Sequence, residues 1–134
     1  MNYNLNIKKE TLSNGLQVIL VHKPDYHKSL FLLGAKVGGF DIEHNVDGSL
    51  VHYKSGLAHY LEHQMFYLDG EDVSDLFANL QCVTNAYTSY TETAFYFSTT
   101  ADIKKPLKLL FDFVENLDVT NETIEKEKGI ILSE

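Results

Sequence analysis

A chain of 134 residues has room for one ordinary domain with its own core, and not for two. Its 44% hydrophobic and 22% charged residues are the composition of a folded domain rather than of a disordered tail. The formal charge is −8, and the 11 basic residues are all Lys and nowhere clustered, which argues against nucleic acid as a partner.

The single cysteine, Cys82, excludes an internal disulfide framework and is compatible with a reducing compartment. The opening MNYNLNIKKE lacks the apolar stretch of a signal peptide, and no apolar run nears the roughly 20 residues that span a bilayer. The expectation is a cytoplasmic protein with no membrane partner.

In chain order, ETLSNGLQVILVHK reads as a strand pair turning at Asn14-Gly15. SLFLLGAKVGG reads as a third strand, buried on both sides and closing in a glycine pair. Residues 40–55 read as a polar loop with an Asp47-Gly48 turn, after which Ser55 is placed to cap a helix over about 56–68. A second helix is predicted over about 71–80, where Val73, Leu76, Phe77 and Leu80 recur at helical spacing behind an acidic first turn. CVTNAYTSYTETAFYFSTT is rich in Thr, Tyr and Phe and reads as two strands around a turn near Ser89–Thr91. Asp102 then caps a helix with Leu107, Leu110, Phe111 and Val114 on one face, and TNETIEKEKGIILSE is predicted to be helical to its last residue. The fold class that follows is α+β: a mainly antiparallel sheet with helices packed on one face.

The segment GLAHYLEHQMF (residues 56–66) places two histidines and a glutamate in an otherwise apolar helix. Burying a carboxylate without a partner costs several kcal/mol or forces it to take up a proton. At about 100° per residue, His59 and His63 lie roughly 40° apart on one face, one turn removed, so both imidazoles can point at one metal ion. Glu62 falls roughly 60° to the other side of His59, where a general base for a metal-activated water is needed. Isolated histidines are usually ordinary core or surface residues, but His-x-x-Glu-His is the inverted zinc motif. A metal site wants a third protein ligand. On the last helix, Glu127 and Glu134 fall inside the stripe marked by Ile124, Ile130 and Ile131, while Glu122, Glu125, Lys126 and Lys128 fall outside it. His22, His27, His44 and His52 read as surface residues, and Cys82 as a small buried hydrophobe.

With His59-x-x-Glu62-His63 and the Glu127/Glu134 pair placed, the chain resembles the pitrilysin/insulinase family of zinc metallopeptidases. NAYTSYTETAFYFS and IEKEKGIILSE extend the resemblance over about residues 10–134, and GLAHYLEHQMF is most similar to a bacterial branch related to the mitochondrial processing peptidases. The resemblance implies that zinc is the cofactor, that His59, His63 and Glu134 are its ligands, and that Glu62 is the general base of peptide-bond hydrolysis. It implies that Glu127 orients a ligand, and that Asn85 and Ala86 lie on an edge strand to which a peptide substrate adds its own strand. It also implies that residues 1–134 are the N-terminal part of a zinc-binding peptidase domain, a fragment ending at the third ligand. The C-terminal homologous domain, or a partner subunit, would then complete the site, and this chain alone would be inactive. Gln64 and the stretch Gln81-Cys82-Val83-Thr84 depart from the family's usual residues, and the chain has no Arg. The alternatives are a non-catalytic partner subunit of such a peptidase and a single-domain S-ribosylhomocysteine lyase-like enzyme. The latter shares the helix motif but takes a distant cysteine as third ligand, whereas Cys82 stands 19 residues after His63.

Overall fold

The computed structural model describes residues 6–133. Its centre is strand β9 (Thr93–Thr99), flanked on one edge by β3 (Ser29–Ala35) and on the other by β8 (Cys82–Thr88), all antiparallel. Side chains alternate across this sheet. Phe95 and Phe97 point to one face with Phe31 and Leu33 beside them, and there they meet Phe77, Leu110 and Phe113 from the helices. Phe77 stacks on Phe97 at 5.4 Å between ring centroids, and Phe113 meets Phe95 edge-on at 5.4 Å. Burying an aromatic side chain of this size contributes about 1.5–3 kcal/mol, so this cluster is the main stabilising unit of the chain. The architecture is α+β with the helices on one sheet face, as the element order requires.

The first hairpin pairs β1 (Asn6–Thr11) with β2 (Gln17–His22) around the Asn14-Gly15 turn, where the Asn14 side chain accepts from the Leu16 amide at 3.1 Å. β3 is not buried on both sides. Its alternate residues Leu30 and Leu32 are 64% and 53% exposed, because they point to the sheet face that carries no helix. Residues 40–55 are not simply a loop: β4 (Glu43–Val46) and β5 (Ser49–His52) form a hairpin whose Asp47-Gly48 corner has positive φ at both residues. Asp69-Gly70 has the same geometry and joins two short strands, β6 (Tyr67–Leu68) and β7 (Glu71–Asp72). Two-residue corners with two positive φ angles match strand twist, and Asp-Gly adopts them at little cost.

Four helices complete the fold: α1 (Leu57–Gln64), α2 (Val73–Asn79), α3 (Lys104–Glu115) and α4 (Asn121–Ile131). α1 is shorter than expected, since it stops at Gln64, four residues before the predicted end, and the chain turns into β6; its N-cap is Gly56 in the left-handed region rather than Ser55. α2 starts two residues late, with Asp72 as N-cap accepting from the Ser74 amide. α3 is preceded by Ile103 with no side-chain cap, so Asp102 does not serve as predicted, and its wholly buried residues are Pro106, Leu110 and Phe113 instead of a stripe through Phe111. α4 is framed by Thr120 and Thr123, which exchange backbone and side-chain hydrogen bonds, and it ends at Ile131. Leu132 and Ser133 form a turn, so the helix does not run to the chain's end, and Glu134 lies outside the described residues. No helix among the described residues is long and apolar enough to cross a membrane.

Candidate metal centre

α1 lies over β8 and against α4, and this crossing creates the site. The Nε2 atoms of His59 and His63 converge to 3.2 Å. Two imidazole nitrogens bound tetrahedrally to one zinc ion, each at about 2.05 Å, stand about 3.3 Å apart, so the pair fits two corners of a zinc coordination sphere. His63 is further set by its other ring nitrogen, Nδ1, which lies 2.9 Å from Glu127 Oε2. A carboxylate oxygen only accepts, so Nδ1 carries the proton and Nε2 presents its lone pair to the point shared with His59.

The predicted site residues separate cleanly by place. Glu62 is 8% exposed, one of two buried residues of α1, and its Oε2 accepts from the Thr88 hydroxyl at 2.6 Å. Thr88 is held in turn by its neighbour across the strand pair: Thr93 Oγ1 lies 3.2 Å away and donates to the Val37 carbonyl at 2.8 Å. Glu127 is 5% exposed on the inner face of α4. Asn85 and Ala86 sit on β8, at the edge of the three-stranded sheet, where the Ala86 amide donates to Asn85 Oδ1 at 2.8 Å. Glu62, Thr88, Glu127, Asn85 and Ala86, with His59 and His63, border one open cleft of about 600 Å³. Glu134 lies outside the described residues, and among those described no group of three His, Cys, Asp or Glu side chains forms a metal cluster. His22, His27, His44 and His52 are exposed in the hairpins and loops and do not border the cleft, and Cys82 is buried in the core.

Two residues of the site, Thr88 and Tyr67, are not among the predicted site residues. Thr88 could have been found, because it follows Ala86 by two positions on a strand and shares its face. Tyr67 could not, because it belongs to a two-residue strand with no periodicity. Its hydroxyl donates to Glu127 Oε1 at 2.7 Å, and the Lys126 ammonium stands 5.0 Å from its ring centroid. Burial pushes the Tyr67 phenol above the usual tyrosine range; Lys126 opposes that shift and Glu127 adds to it, so the group remains a donor at neutral pH.

Three comparisons bear on this arrangement. The chain is 39% identical over 124 residues to the uncharacterized zinc protease YmfH of Bacillus subtilis, a match covering 91% of this chain and 29% of that protein. The crystal structure of an M16-like peptidase from Alicyclobacillus acidocaldarius superposes with a TM-score of 0.87 at 37% identity, over 98% of this chain and 31% of that one. Pitrilysin superposes with a TM-score of 0.74 at 26% identity, over 94% of this chain and 13% of its own. The chain thus spans less than a third of the length of these relatives. The profile of the Insulinase family (Peptidase family M16) matches residues 47–134, which contain the histidine pair, Glu62 and Glu127, and the chain belongs to that family.

Proposed function

We propose that this chain carries the metal-binding half of a zinc-dependent endopeptidase active site, with His59, His63 and Glu134 as the ligands. The observation that carries the reading is the convergence of His59 and His63 Nε2 to 3.2 Å while a buried carboxylate holds His63 Nδ1. Zinc, the metal for which YmfH is named, fits that donor pair. When bound, zinc supplies Lewis acidity at the scissile carbonyl and makes a water acidic enough to be deprotonated near neutral pH.

The remaining steps belong to this chain's residues. Glu62 takes the proton from the attacking water and returns it to the leaving amine; Thr88 fixes which carboxylate oxygen faces the cleft. Glu127 holds the tautomer of His63. A peptide in extended form adds to the β8 edge at Asn85 and Ala86, recognised through its backbone, with the Asn85 side chain giving up its bond to the Ala86 amide. A homologous domain or partner subunit would supply the remaining substrate contacts, whose positioning contributes as much as the chemical groups.

Isothermal titration with zinc tests the reading on the chain itself. Binding that His59→Ala abolishes supports it, and equal binding by the variant refutes the site.

A further inference from the structure

We propose that Tyr67 is a positioning residue for the metal centre, fixing the Glu127 carboxylate in the one orientation that sets His63. The proposal rests on the metal-site reading above, and on a feature that the histidine motif does not contain.

A glutamate side chain with one donor on one oxygen can still rotate its carboxylate plane. Glu127 has a different donor on each oxygen: His63 Nδ1 at 2.9 Å on Oε2, and the Tyr67 hydroxyl at 2.7 Å on Oε1. Two donors at fixed positions define both the plane and the direction of the carboxylate. They come from different elements, α1 and β6, so the orientation is set by the fold and not by the local rotamer. Glu127 already bonds His63, and without Tyr67 its other oxygen could turn towards the metal position itself. Tyr67 thereby assigns Glu127 to its task as the partner of His63 rather than a ligand. Tyr67 is 8% exposed and the Lys126 ammonium stands over its ring, so the side chain has little room to move away from Glu127.

Tyr67→Phe removes the hydroxyl and leaves the ring in place. Zinc affinity measured by competition with a chromogenic chelator is expected to fall about tenfold, the lower end of the 10–100-fold range for losing a ligand's outer partner. In a Glu127→Ala background, Tyr67→Phe is expected to change nothing, since its effect runs through that carboxylate. A metal-free readout accompanies it: the ¹⁵N shifts of the His63 ring should show a smaller share of the Nδ1–H tautomer in Tyr67→Phe. Unchanged affinity with an unchanged tautomer overturns the proposal, and so does an equal loss in both backgrounds, which would mean that Tyr67 acts by packing. If the unsubstituted chain and His59→Ala bind zinc alike, the metal-site reading fails, and the His63 tautomer alone decides the role of Tyr67.

Discussion

Replacing Gln64 with methionine is expected to stabilise the fold, although it deletes a hydrogen bond between two helices. Gln64 closes α1 and has no exposed surface. Its Nε2 donates to the Thr123 carbonyl of α4 at 3.2 Å, while its Oε1 accepts from no donor among the described residues. An unpaired buried acceptor costs about 1–3 kcal/mol, and a neutral hydrogen bond contributes about 0.5–1.5 kcal/mol. Methionine has nearly the same length and volume, and such swaps add little strain. The Thr123 carbonyl retains its place in the α4 backbone ladder. The difference is a gain of about 1 kcal/mol. Urea unfolding followed by far-ultraviolet circular dichroism reads this directly: with a slope of about 2 kcal/mol/M, the midpoint should rise by about 0.5 M at constant slope. A midpoint that falls by as much would show that the bond to Thr123 outweighs the orphaned oxygen, and that the carbonyl cannot do without Gln64.

Other perturbations test other parts. Gly38→Ala is expected to destabilise by about 1–3 kcal/mol, because a Cβ there would stand 2.5 Å from the Ser89 carbonyl oxygen and 2.6 Å from the Thr91 nitrogen, both backbone atoms; an unchanged calorimetric melting temperature would refute the close approach. Glu62→Gln, made in a longer protein containing this chain, should keep its zinc and lower peptide hydrolysis by about 10²–10⁴-fold, and an undiminished rate would remove Glu62 from the role of base. The Tyr87 phenol is pushed above the usual tyrosine range chiefly by its hydrogen bond to Glu92 at 2.8 Å. Glu92→Gln should bring its titration midpoint down when followed by the ¹³Cζ resonance, and an unmoved midpoint would show that the contact is not made in solution.

What was legible in the sequence is what depends on helical period. The 100° rule put His59 and His63 on one face and Glu127 in the buried stripe of the last helix, and that period holds wherever a helix forms. The element order likewise gave helices against one face of an antiparallel sheet. The errors lie where local composition was asked to report tertiary contact. The β4–β5 and β6–β7 hairpins are only four and two residues long on each strand, too short for hydrophobic alternation to mark them. Asp69-Gly70 carried the same turn chemistry as Asp47-Gly48, but its acidic neighbours imitate a helix start. The continuous hydrophobicity of SLFLLGA predicts burial on both faces, yet burial needs a covering layer, and the helices cover only one side.

The early end of α1 is the error with most bearing on chemistry. Had the helix run on to residue 68, Tyr67 would have followed His63 by four positions and lain on the same face, one turn further along. By leaving the helix after Gln64, the chain swings back through β6 and presents the Tyr67 hydroxyl to α4. Glu62 and His63, two of the ionisable groups that made this apolar segment look costly, then find partners from distant parts of the chain. Glu62 takes Thr88 from β8, His63 takes Glu127 from α4, and Glu127 takes Tyr67 from β6. Buried polar groups persist when they are paired. These pairs cross 26, 64 and 60 residues, so the site depends on the packing of α1 against β8 and α4. That coupling is why the histidines could be placed by counting residues, while the groups that orient them could be seen only in the folded chain.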